Sequence, residues 1–156
     1  MRRSTVVAGI ALAAAVSVAG VTAAQAGTPG HPDSSSFTVV EHAVTDTVID
    51  TGPAGDSVGD LLPFANPVFD AANRHQVGSD NGNCIRTVVG KAYECSWTLT
   101  LAGGSLVVSG PFYDAADSVL AVTGGTGRFR GASGQLKLHA RDAAGSAYDF
   151  SYTLSH

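Results

Sequence analysis

The sequence predicts an all-β protein, a single eight-stranded antiparallel β-barrel. Three observations carry that expectation. Short runs alternate apolar and polar side chains, Gly/Pro/Asn/Asp clusters punctuate them, and the chain beyond its N-terminal apolar run has no sustained helical spacing of apolar residues. Closure is the favoured arrangement, because eight strands enclose side chains or one small ligand and a closed sheet has no sticky edges. A β-sandwich is the competing arrangement.

The N-terminus changes the other counts. Arg2 and Arg3 precede an apolar run that ends in Ala24-Gln25-Ala26, the three regions of a secretory signal peptide, so residues 1–26 are expected to be cleaved and the protein secreted. The run is almost long enough to anchor in a membrane, but its Ala-x-Ala ending argues for cleavage. Thr5 stands where a twin-arginine signal prefers an apolar residue, so general secretion is expected. Cleavage removes two of the nine basic residues and none of the 13 acidic ones, taking the net charge from −4 to −6 over 130 residues. One mildly acidic domain is implied. Without a basic run or basic–aromatic interleaving, nucleic acid is not an expected partner. Residues 27–36, GTPGHPDSSS, have nothing to bury and read as a flexible leader, leaving residues 37–156 as the barrel domain.

Two cysteines, Cys84 and Cys95, are expected to pair in an oxidising compartment. A hairpin turning at residues 88–91 sets them directly opposite each other, at a separation a disulfide can bridge. Two thiols without a histidine at matching spacing make a poor metal site, and no metal is expected.

Along the chain, alternation starts at Phe37 and places Phe37, Val39, Glu41 and Ala43 on one face. Residues 50–59 read as a loop. Residues 59–73, GDLLPFANPVFDAAN, are apolar but carry Pro63 and Pro67, which remove ladder donors and fit an edge, bulged or kinked strand. Ser79-Asp80-Asn81-Gly82-Asn83 reads as a turn or bulge before Cys84. The clearest alternation covers residues 93–101, with Tyr93, Cys95, Trp97, Leu99 and Leu101 on one side. Further strands are expected over residues 105–110, around Val119, over residues 135–141 and over residues 148–154.

Few motifs carry chemistry. GGTGRFRG, residues 124–131, lacks phosphate-loop spacing and a following helix, so its glycines read as a hairpin. No Gly-x-Ser-x-Gly elbow supports a hydrolase. Lys137, His139 and Arg141 form a solvated strand face, and His42 is an ordinary strand histidine. Glu41 is the better candidate: a carboxyl among apolar neighbours has its proton affinity raised or needs a hydrogen-bonding partner, both common in reactive clefts. The alternative is a glutamate facing solvent or another subunit. Asn66 reads most simply as a turn or bulge asparagine bonding its own backbone.

The runs GDLLPFANPVFD, GNC, YECSWTLTL and GPF with ADSVLAVTGGTGRFRGASGQLKL, in this order and spacing, resemble the allene oxide cyclase and dirigent superfamily over essentially the whole mature domain. The resemblance implies an eight-stranded barrel with a hydrophobic cavity, often trimeric and free of cofactors. It also implies that Glu41 steers charge during ring closure, that Asn66 holds a water against the reacting oxygen, and that Cys84 faces the cavity. Two positions depart from the pattern: Phe112 replaces a cavity tyrosine, and Ala43 a second cavity asparagine. The dirigent branch has an arginine where this chain has Ser133.

These readings imply a cavity walled by Phe37, Trp97 and Phe112 that binds a small hydrophobic molecule, an unsaturated lipid or a phenolic, and guides its cyclisation or isomerisation. A homotrimer is the implied assembly. The other reading is a non-catalytic, dirigent-like module of the extracellular space that binds a hydrophobic ligand.

Overall fold

The computed structural model describes residues 34–155, so the expected signal peptide and most of the leader lie outside the described residues. Eight strands follow one another around a closed antiparallel barrel: β1 (Ser34–His42), β2 (Leu61–Asp70), β3 (Gln76–Val88), β4 (Ala92–Leu101), β5 (Gly104–Tyr113), β6 (Ser118–Gly125), β7 (Ser133–Ala140) and β8 (Ala147–Ser155). The last strand returns to the first, which excludes a sandwich. Strand β1 begins at Ser34 rather than Phe37, because the exposed Ser34, Ser35 and Ser36 pair with Ser155, Leu154 and Thr153 of β8. Ladder hydrogen bonds, not burial, extend it.

The seams are unequal. β1 pairs with β8 over its whole length but with β2 only through Val39, Val40 and Glu41, opposite Asp70, Phe69 and Val68. The rest of β2 therefore has a free side, and Pro63 and Pro67 lie within it. A strand edge that no neighbour reaches does not need the N–H groups that proline lacks. Loop 43–60 covers this side instead: the Ala65 N–H donates to Thr45 Oγ1 (2.7 Å), and Ile49 bridges to Leu61. A register shift opposite Val68 and Phe69 leaves Val77 of β3 as the extra residue, so the bulge in this ladder lies on β3 rather than on the proline-bearing strand.

Residues 79–83 are not a turn. They lie in the middle of β3, with Ser79 to Asn83 paired on both sides. The glycine signal has another cause: a Cβ on Gly82 would lie 2.3 Å from the Ser96 carbonyl oxygen and 2.4 Å from Trp97 Cβ. Gly82 is there so that Trp97 can pack across it. The actual turn before β3 is at residues 71–75, where Asn73 adopts φ 56°.

The inner faces form one core around Leu99, Leu106, Val108, Leu120, Leu136 and Phe150. At one end the glycine-rich connection plugs the barrel. It makes a 3₁₀ turn at Gly127–Phe129, and the buried Phe129 ring lies 6.2 Å from Phe37, which stacks on Tyr152 at 4.9 Å. At the other end, loop 43–60 folds over the rim. The buried Arg86 ties it there, with its Nε 2.7 Å from Asp56, its Nη1 2.7 Å from Asp114 and its guanidinium 3.6 Å over the Tyr93 ring. Cys84 and Cys95 face each other in the β3–β4 register and form the expected disulfide, Cα atoms 4.0 Å apart.

Two outcomes follow for stability. Gly82→Ala overpacks the Trp97 contact and is expected to cost about 1–3 kcal/mol, whereas Gly124→Ala, with open space around its Cβ, stays within about 0.5 kcal/mol; urea unfolding of both variants checks this. Cys84→Ala/Cys95→Ala opens a short loop and is expected to lower stability by about 2–3 kcal/mol, read by the same unfolding curves.

Candidate functional site

The cavity opens between the plugged end and the loop-covered rim. Its walls are aromatic and apolar: Phe64, Trp97, Phe112, Tyr148 and Phe150, with the Cys84–Cys95 disulfide beside them. Its free volume is about 70 Å³, room for a few waters or the end of a slim ligand. Phe112, Leu138 and Tyr148 also line a larger outer cleft of about 430 Å³ between loops 114–117 and 141–146. These three side chains form a neck between the two spaces. Phe112 and Tyr148 meet there edge to face, ring centroids 5.9 Å apart.

One side of the inner cavity is acidic. Alternation turns Glu41 inward from β1 and Asn66 inward from β2, and the side chains meet: Asn66 Nδ2 donates to Glu41 Oε1 at 2.7 Å. The same amide nitrogen donates to Asp46 Oδ1 at 2.7 Å. Asn66 Oδ1 accepts the backbone N–H groups of Val44 and Thr45, each at 3.0 Å. Those two donors fix the amide orientation, because a flipped amide would aim its NH₂ at other N–H groups. Glu41 therefore faces the cavity rather than solvent, 4 % exposed, while the 1 % exposed Asn66 is fully engaged and holds Glu41 and loop residues 44–46 in place. Its amide has no group left to anchor a water against a ligand oxygen, the role implied by the resemblance.

Trp97 and Phe112 line the cavity as expected. Phe37 does not, because it is drawn to the plugged end, against Phe129 and Tyr152. Cys84 faces the cavity as half of the disulfide.

Sequence reasoning missed Asp80. It sits opposite Asn66 in the β2–β3 register, fully buried, and neither carboxyl oxygen has a hydrogen-bond partner among the described residues. The available signal was parity: 80, 82 and 84 share a strand face, so an inward Cys84 implies an inward Asp80. Burial and the neighbouring Glu41 push the Asp80 carboxyl up to about 9. Burial also pushes Glu41 up to about 7, and Asp46 adds to this while the Asn66 hydrogen bond opposes it. At neutral pH the pair thus keeps at least one proton. Tyr148, pushed up to about 12 chiefly by burial and then by Glu41, remains a hydroxyl donor. Among the described residues, no group of three or more His, Cys, Asp or Glu side chains is placed to hold a metal ion.

The site is thus an acid-lined aromatic well in a closed eight-stranded antiparallel barrel. A sequence model of allene oxide cyclase matches residues 39–142. The chain belongs to the allene oxide cyclase family. Solved structures share the fold. A pyocyanin demethylase is 24 % identical, with TM-score 0.67, over 78 % of this chain and 100 % of that one. A pterocarpan synthase dirigent protein is 17 % identical, with TM-score 0.67, over 87 % and 99 %. The Diels–Alderase AbmU from Streptomyces koyangensis is 15 % identical, with TM-score 0.62, over 82 % and 70 %.

The two raised carboxyls set the pH dependence of stability. Both release their protons in the unfolded chain at ordinary carboxylate values and hold them in the fold up to about 7 and about 9. Between those limits the native state binds more protons than the unfolded state, so stability is greatest on the acid side and declines as pH rises. The carboxyls of Asp60, Asp70, Asp117 and Asp142 are lowered by hydrogen bonds and act in the opposite sense, but only in acid. Melting temperature is therefore expected to fall between pH 6 and pH 9. Asp80→Asn, which cannot ionise, is expected to flatten that decline and to gain more than about 1 kcal/mol at pH 9.

Proposed function

We propose that this protein binds a small hydrophobic molecule in the inner well and outer cleft and guides its cyclisation or isomerisation. The observation that supports this most is Glu41: a carboxyl poised near neutrality, lining an aromatic cavity and oriented by Asn66. A group titrating near the working pH can give or take a proton efficiently, and aromatic walls restrict a flexible ligand to a reactive conformer. Asn66 acts through Glu41 as a positioning residue. The structural neighbours are consistent with this reading: they include a pyocyanin demethylase, a pterocarpan synthase dirigent protein and a Diels–Alderase. Export after removal of residues 1–26 belongs to this reading and is supported by the disulfide. A homotrimer belongs to it by family resemblance.

Phe112 favours a second reading, a non-catalytic binding module, because its phenyl ring supplies no hydroxyl where the family resemblance implies one, which leaves Tyr148 to supply the hydroxyl at the neck. One experiment separates the two. The purified protein is extracted, the co-purifying molecule identified, and its conversion followed with wild type and Glu41→Gln. Product formation with kcat reduced about 100-fold or more in the variant is the expected result. Equal turnover would remove Glu41 from the mechanism, and a retained molecule with no product from either protein would establish the binding module.

A further inference from the structure

The inner well has an unbalanced charge pattern. Its apolar walls include five aromatic rings, and its ionisable lining consists of Glu41, Asp46 and Tyr148, with no Lys, Arg or His among the described lining residues. Asn66 donates to only one oxygen of each carboxylate, Glu41 Oε1 and Asp46 Oδ1. Asp46 Oδ2 receives no protein hydrogen bond among the described residues, while the Glu41 carboxyl also has the buried Asp80 carboxyl beside it. The buried guanidinium near the same rim is unavailable to them, because Arg86 is held by Asp56 and Asp114 and stacked on Tyr93. Beyond the neck lies a cleft lined by Asp114, Asp117, His139 and Asp142, where Asp114 pairs with Arg86 and Asp117 with Lys137 and His139.

We infer that the well selects a small aromatic or apolar monocation, with its positive end between Glu41 and Asp46 and its apolar body in the neck and outer cleft. Two independent forces favour this. The buried Glu41 carboxylate gains more from a cation than it would in water, the exposed Asp46 adds negative charge beside it, and the aromatic rings of Trp97, Phe64 and Phe150 attract positive charge over their faces. An anionic head group meets the opposite field. The free volume of the inner well, about 70 Å³, admits only the head of such a ligand, while the outer cleft of about 430 Å³ takes the rest.

The inference rests on the cavity being a ligand site, so its test must separate the two. The chain has one tryptophan, and Trp97 lines the well. Its indole N–H gives a single side-chain NMR signal of that type that reports on the site. At pH 8 the full-length disulfide-bonded protein is titrated with three probes of nearly equal shape: 1-methylquinolinium (cation), 1-methylnaphthalene (neutral) and 1-naphthoate (anion). The expected order of affinity is cation, neutral, anion, with the cation at least about ten-fold tighter than the neutral probe. Glu41→Gln is expected to remove most of that preference, and Asp46→Asn provides a second variant should the first not fold. Tighter binding of the neutral or anionic probe overturns the inference and leaves the proposed apolar ligand site standing. A cation preference unchanged in both folded variants also overturns it. If no probe moves the indole signal, the reading of the well as a ligand site fails, and the inference fails with it.

Discussion

One buried amide holds the open seam of this barrel. Strands β1 and β2 pair through only three residues each, and beyond them the sheet would split. The Asn66 side chain bridges the split, donating to Glu41 of β1 and to Asp46 of the loop and accepting two backbone N–H groups of that loop. An amide suits the position because it offers donors on one side and an acceptor on the other. A carboxylate here would face two other carboxylates with no proton to give, and an apolar side chain would strand the N–H groups of Val44 and Thr45. The gap is thereby kept as a cavity wall.

The seam also explains why acids are tolerated inside the barrel. Burying carboxyls is costly unless they are paired or keep their protons. Glu41 has a donor in Asn66, and Asp80, which has none, keeps its proton. Below this acidic layer the barrel is filled by Tyr152, Phe37 and Phe129, so the interior is solid at one end and hollow at the other. The plug comes from the glycine-rich connection. Gly127, at φ 57°, lies where a Cβ would be 2.1 Å from the Gly103 carbonyl oxygen, so the chain can double back tightly enough to push Phe129 inward.

Much of the architecture was legible in the chain because a strand in a barrel with a filled interior writes its geometry as a period of two. The alternation at residues 93–101, the cysteine register and the prolines of β2 all followed from local rules. Glycine was the ambiguous letter. Asp80-Asn81-Gly82 reads locally as a turn or bulge, but the use of Gly82 here is close packing beneath Trp97. A local rule cannot separate these, since the reason lies on another strand.

Of the site, the sequence by itself determined the fold class, the inward parity of Cys84, Cys95 and Trp97, and the presence of a carboxyl at Glu41 on an apolar face. Tertiary structure alone decided which acids meet. Glu41, Asp46, Asn66 and Asp80 come from β1, a loop, β2 and β3, and only barrel closure and register bring them together. It also decided that Phe37 belongs to the plug and Phe112 to the neck. The physical reason is the same in each case: alternation fixes which side of a strand a residue faces, whereas its depth along the barrel and its partners depend on how neighbouring strands are staggered.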